Sequence, residues 1–255
     1  GRQAIPALFG ILYGGFRLTP LNLVAGPDAM GFALAHSRAR VVLVAESQRV
    51  LFDQALAVAG KCAVTVIGVS GQINWPDQAG AATLPPCRPE DPAVVMYTSG
   101  TTGRPKGVLH SQASLLAGGW TTAVAHALGP GDRALCVLPH YHINGLCVTL
   151  MAPLVSGGSV IVCEKFSNSR FWPTCADHRA SWASLVPTII SHLVHAGAMP
   201  NPTVAGRMRF IRSASAPLAP EIQEKFETRF SLPIIETMGV DMLWFVVMVA
   251  VVVVE

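Results

Sequence analysis

Apolar positions along this chain follow two periods, and the two alternate. From Ala4 to Gly15 small and apolar residues recur at helical spacing, and a Pro- and Asn-containing turn follows over Leu18 to Leu23. Pro27 and Asp28 open a second helical segment that lasts to about Ser37. Arg40 to Ala45 reads as a short buried strand, Ser47 to Ala59 as a helix and Ala63 to Val69 as another strand. Ser70 to Pro92 is rich in Gly, Pro, Ala and Gln without apolar periodicity, which predicts a surface connection or a domain linker. The rhythm then resumes. Val94 begins a β-branched apolar run, Ser111 caps a helix reaching about Ala127, and Gly129 with Pro130 ends it. Strands are predicted over Arg133 to Leu138, Ser159 to Cys163, Ser181 to Val186, Arg209 to Arg212 and Pro233 to Glu236. The helices between them run over Leu146 to Leu154, Asn168 to His178, from Pro187 onward, and up to about Phe230. Such alternation predicts an α/β fold with parallel sheet and covering helices, in which sites collect at the carboxyl ends of strands.

One stretch interrupts the pattern with chemistry. After Val94-Val-Met the chain reads Tyr97-Thr-Ser-Gly-Thr-Thr-Gly-Arg-Pro-Lys-Gly-Val108, too rich in Gly and Pro to continue a strand or a helix. Gly100, Gly103 and Gly107 permit turns that aim backbone N–H groups at an anion. Thr98, Ser99, Thr101 and Thr102 add hydroxyl donors, and Lys106 adds a mobile positive charge. The stretch therefore reads as a phosphate cradle rather than an ordinary Ser/Thr/Gly surface turn. It is not a Walker A loop, in which Lys follows Gly and a helix starts at once; here Pro105 precedes Lys106 and biases Arg104 towards extended backbone.

Composition narrows the class. A chain of 255 residues that is 51% hydrophobic can bury a sizeable core, as one large domain or two small ones. A formal net charge of +3, with no basic run, offers no electrostatic case for a nucleic-acid partner. The six cysteines form no C-x-x-C pair and read as reduced core residues. With no signal-peptide pattern, they favour a cytoplasmic setting. Gly1 in place of an initiator Met predicts a fragment whose true N-terminus, with any targeting signal, lies elsewhere. His140-x-His142 has the form of a metal pair but lacks a third ligand at a recognisable spacing. His192 and His195, three apart on one helical face, form a relay or, more plainly, two exposed helix residues.

The stretch from Tyr97 to Val108 resembles the signature loop of the adenylate-forming superfamily, which includes acyl-CoA synthetases, coumarate-CoA ligases, luciferases and the adenylation domains of peptide synthetases. Two later segments follow in the family's order. Leu138-Pro-His-Tyr-His-Ile-Asn-Gly-Leu146 lies where the family builds one wall of its carboxylate pocket, which implies that role for His142. Ser213-Ala-Ser-Ala-Pro-Leu218 resembles the family's Ser-Gly-Ala-Ala-Pro-Leu, whose small residues let a purine lie against backbone. The resemblance thus implies an adenine site at Ser215, Ala216 and Pro217 with Glu236 and Thr237. It implies an ATP phosphate site at Thr98, Ser99, Gly100, Thr101, Thr102, Gly103 and Lys106, in which Lys106 and Thr101 do the catalytic charge stabilisation.

The likeness stops after Thr237. Where the family has Tyr-Gly-Met-Thr-Glu, with the glutamate serving Mg²⁺, this chain has Met238, Gly239, Val240, Asp241 and Met242. Asp241 is a neighbouring carboxylate but is assigned no metal role. The run from Met242 to Glu255 is apolar and Val-rich, shorter than the roughly 20 residues of a membrane helix. It is a strand former and an aggregation hazard if exposed. The expectation is the N-terminal, large domain of an adenylate-forming enzyme over residues 1–237, with layered sheets and covering helices. An aberrant tail over 238–255 follows, and the C-terminal lobe is missing. The implied activity is that of an ATP-dependent acid-CoA ligase using ATP, Mg²⁺, coenzyme A and a small organic or fatty acid, with this fragment inactive alone. The alternatives are a non-catalytic nucleotide- or acyl-binding pseudoenzyme module and an adenylation domain that loads a carrier protein.

Overall fold

Helix and strand alternate through the first part of the chain as the apolar spacing predicts. The computed structural model describes residues 3–60, 62–69, 83–84, 86–98 and 105–237. They form two units, one within residues 3–113 and the other within 114–237. In the first, α1 (Ala4–Tyr13) precedes α2 (Gly26–Ser37), β1 (Val41–Ala45), α3 (Arg49–Ala59) and β2 (Thr65–Val69). β1 and β2 pair in parallel, Val41 opposite Thr65, and α2 and α3 cover them through Met30, Leu34, Val44, Phe52 and Ala55. Gly31 sets how closely the two helices approach. A Cβ there would lie 2.7 Å from both the Ala55 carbonyl oxygen and Val58 Cβ.

The segment expected to form the phosphate cradle follows β3 (Pro92–Thr98), whose residues 93–96 are buried. Here the structure corrects the sequence reading. A helix does begin directly after Ser111, but before it the loop joins β3 to an antiparallel partner the reading missed, β4 (Lys106–Ser111), with Thr98 opposite Lys106. Lys106-Gly-Val-Leu-His-Ser has only two consecutive apolar residues, too weak a signal to be read as a strand. Pairing with the buried β3 supplies what local preference does not.

In the second unit α4 (Gln112–Ala125) leads to five parallel strands: β5 (Arg133–Cys136), β6 (Ser159–Val162), β7 (Trp182–Leu185), β8 (Phe210–Ser213) and β9 (Ile234–Glu236). Their order is β6-β5-β7-β8-β9, so the chain runs outward from β5 to β6, then returns past β5 to build the other side. Alternate residues face opposite ways. Leu135, Ala183, Leu185 and Ile211 pack with Phe171 of α6 (Asn168–Asp177), Ile190 of α7 (Pro187–His195) and Phe226 of α9 (Pro220–Phe230). Ala134, Trp182 and Phe210 pack the other way against Leu128 and Val148. A fully buried Ile or Phe of this kind contributes roughly 1.5–3 kcal/mol.

The sequence reading also placed one α-helix over Leu146 to Leu154. The segment is instead π-helical over Asn144–Met151 and α-helical only in α5 (Ala152–Ser156). Its residues are apolar nearly all round, so spacing along the chain cannot tell one helical winding from the other. A short helix, α8 (Pro202–Ala205), had no periodic signature and completes the unit. Among the described residues no helix is long and apolar enough to cross a membrane. The apolar tail from Met242 lies outside the described residues.

Candidate active site

Thr98 and Lys106, both exposed, close the end of the β3–β4 pair and so hold the two ends of the signature loop side by side. Ser99, Gly100, Thr101, Thr102 and Gly103 lie outside the described residues. The root of the loop is fixed from α2: the Tyr97 hydroxyl lies 2.8 Å from His36 Nδ1, and the Tyr97 ring meets Phe32 edge-on at 6.2 Å. Gly107, opposite Tyr97, leaves room for that ring, since a Cβ would come within 3.3 Å of it. Burial raises the Tyr97 pKa, opposed in part by the charge of Arg17, so the phenol stays protonated at neutral pH.

In the second unit the remaining candidates gather outside the carboxyl edge of the sheet. His142 follows β5, Ser215 to Pro217 follow β8, and Glu236 and Thr237 stand at the end of β9. Their turns are tied together. Thr237 donates its backbone N–H (2.9 Å) and its hydroxyl (3.2 Å) to the Ser213 carbonyl, and Glu236 Oε1 accepts the Leu218 N–H at 2.8 Å. Ser215, Ala216 and Pro217 are exposed, and Ser215 holds φ +75°, a left-handed conformation that a side chain adopts only at a cost. The three therefore offer a turn of backbone and small side chains to solvent.

Beneath that turn lies a polar layer the motifs did not reveal. Buried Asn144 accepts from the Ser184 hydroxyl (2.7 Å) and from Arg212 Nη1 (3.4 Å), and its Nδ2 donates to Ser215 Oγ (3.4 Å). Arg212 is only 3% exposed. An arginine inside Phe210-Ile-Arg-Ser213 is the one signal that could have drawn attention to it, because a buried charge demands partners. Asn144 sits there because the turn before it is tight. A Cβ on Gly145 would collide with the Pro139 carbonyl, so only glycine lets the chain fold back from His140 to His142 into the π-helix.

The two histidines of that turn diverge. His140 Nε2 lies 3.6 Å from Cys136 Sγ, whereas His142 is exposed with its ring edge-on to Tyr141 at 4.7 Å. Burial lowers both imidazole pKa values, which keeps them neutral at pH 7. Among the described residues no three His, Cys, Asp or Glu side chains are placed to hold a metal ion. His195 Nδ1 lies 2.8 Å from the Ser191 carbonyl, and His192 and His195 are both exposed, in keeping with the plain reading of that pair. The cysteines Cys136, Cys147 and Cys175 are buried, with desolvation pushing their thiols up to about 11, 12 and 12. Cys87 is exposed and Cys62 and Cys163 are only part-buried, so the reading of the cysteines as core residues does not extend to these three.

A parallel sheet whose strand order reverses at β5, with polar turns outside its carboxyl edge, defines the doubly wound class of α/β fold, in which ligands bind at the reversal. The chain belongs to the AMP-binding enzyme family, which matches residues 1–240. A sulfoacetate–CoA ligase of Cupriavidus necator is 42% identical over 243 residues, covering 94% of this chain and 47% of that protein. An oxalate–CoA ligase of Arabidopsis thaliana is 37% identical over 150 residues, 58% of this chain and 29% of that one. Among solved structures, ATP-bound MatB from Rhodopseudomonas palustris matches with a TM-score of 0.81 at 28% identity, over 94% of this chain and 48% of its own. The chain thus spans about half the length of the first of these relatives, and its α/β fold is that of the N-terminal part of adenylate-forming enzymes.

Proposed function

We propose that this chain carries the ATP-activating part of an acid–CoA ligase. A carboxylate oxygen attacks the α-phosphorus of ATP, the bond to the β-phosphate breaks, and pyrophosphate leaves. Coenzyme A thiol then attacks the acyl carbonyl, and AMP departs. Residues 1–237 are read as adenylation-domain sequence, and 238–255 as a tail outside it.

The observation that carries this reading is the convergence of three motif turns, those of His142, Ser215 to Pro217 and Glu236–Thr237, on one carboxyl edge. In the proposal the Ser215 turn, Glu236 and Thr237 take the adenine, and His142 bounds the acyl pocket. Thr98 to Gly103 with Lys106 hold the β- and γ-phosphates, and Lys106 and Thr101 draw charge towards the departing pyrophosphate, by positioning and electrostatics. Mg²⁺ would arrive on the triphosphate, whose oxygens and water supply most of its ligands. We take the acid to be short and to bear a second anionic group, as sulfoacetate and oxalate do in the two relatives. The polar layer of Asn144, Ser184 and Arg212 below the edge supports that choice over a fatty acid.

Calorimetric titration with Mg-ATP tests the reading. Wild type binds, and Lys106→Ala binds at least about tenfold more weakly, the loss expected when a charge-assisted phosphate contact is removed. Equal affinity of the two proteins would overturn it.

A further inference from the structure

The opposite edge of the five-stranded sheet gathers arginines. Because the strands are parallel, the segments entering β5, β7 and β8 all arrive there. Arg133 opens β5, Arg179 and Ser181 precede β7, and Arg207 precedes β8. With Gly131 these residues line a cleft of about 300 Å³, at the small end of ligand-sized cavities.

Asp132, between the lining residues Gly131 and Arg133 in the chain, is already committed. Asp132 Oδ2 pairs with Arg209 Nη1 at 2.7 Å and accepts the Gly129 N–H at 3.0 Å, while its Oδ1 accepts the Ser181 hydroxyl at 2.9 Å. Burial raises the Asp132 pKa, but these three donors outweigh it and keep the group ionised, with Arg209 as its ion-pair partner. Among the described residues the ion pairs are Arg49–Asp53 and Arg209–Asp132, which leaves Arg133, Arg179 and Arg207 without a carboxylate there. Arg133 is also held in place, Nε donating to Ser159 Oγ at 2.9 Å and Nη1 to the His178 carbonyl at 2.8 Å. Three like charges in one concavity repel each other and focus a positive field. An oxyanion relieves that repulsion, and planar guanidinium forks match its geometry.

We propose that this cleft is a second binding site, remote from the carboxyl edge, for a small multiply charged oxyanion of the phosphate or pyrophosphate class. Its ligand arrives from solvent and needs no part of the signature loop. The site therefore stands or falls independently of the ligase reading.

Titration with inorganic pyrophosphate in the Lys106→Ala background, where the signature loop no longer contributes its charge, tests it. The Lys106→Ala chain binds pyrophosphate, with affinity falling as salt is raised. Adding Arg179→Gln and Arg207→Gln weakens binding at least tenfold, whereas the Lys replacements, which keep the charge and lose the fork, recover part of it. Arg179→Gln alone, an exposed change that breaks none of the hydrogen bonds above, gives a several-fold loss and a variant that keeps its fold. No binding by the Lys106→Ala chain, or undiminished binding by the Gln variants, sinks the proposal.

Discussion

Truncating Asn144 strips hydrogen bonds from three side chains at once. Ser184 loses its acceptor, Ser215 its donor, and Arg212 one of its acceptors inside the protein. Buried groups left short of partners cost about 1–3 kcal/mol, so Asn144→Ala is expected to lower stability by about 2–3 kcal/mol, read as a shift of the urea midpoint. A change below about 0.5 kcal/mol would show that the layer is not structural. Thiol labelling gives a second check on burial: Cys87 reacts in the native protein, whereas Cys136, Cys147 and Cys175 react only on unfolding. At this scale the sequence was legible where neighbours decide burial, as for Cys136 and Cys147 inside their apolar runs. It was silent about Asn144, because its partners Ser184, Arg212 and Ser215 are distant in the chain and only the sheet register brings them together.

The turn into the π-helix is the least forgiving backbone of the second unit. Gly145→Ala drives a methyl group into the Pro139 carbonyl, and Gly119→Ala drives one to 2.8 Å from the backbone of Met151. Each is expected to cost about 2 kcal/mol or more, because backbone rather than a flexible side chain has to move. Gly10→Ala, whose Cβ meets nothing within 4 Å, is the control and should be neutral or stabilising, as glycine inside a helix is unfavourable. Elements with clean periods, such as β1, α3, β7 and α9, were readable from spacing because local preference and burial agree there. β4 and the π-helix were not. The first becomes a strand through its partner, and the second is apolar nearly all round, so its spacing does not distinguish one helical winding from another.

Both units contain a histidine whose folded pKa lies below its ordinary value of 6.5 because of burial, His110 in the first and His140 in the second. Above 6.5 neither the folded nor the unfolded chain is protonated at these sites. As pH falls below that value the unfolded chain takes up protons that the folded one resists, so stability is lost down to the folded pKa values. Denaturation midpoints should therefore be lower at pH 5.5 than at 7.5. A flat profile would mean that neither imidazole is kept from its proton. Family membership was legible over nearly the whole chain because three separated motifs occur in order, whereas the arginine cleft leaves no trace in sequence order. Arg133, Arg179 and Arg207 are ordinary surface arginines until parallel strands deliver their entry segments to one edge.

The β3–β4 pairing bears on how the segment proposed to grip phosphate can change over time. Thr98 and Lys106 are held opposite each other by the ladder, so the entropy of closing the intervening segment is borne by strand pairing rather than by what that segment contains. Inserting one residue there should shift stability by less than about 1 kcal/mol, since closure entropy grows only with the logarithm of length. Mutational drift in this segment is thus uncoupled from folding. A lineage can rewrite the residues between Thr98 and Lys106 while the protein carrying them stays intact.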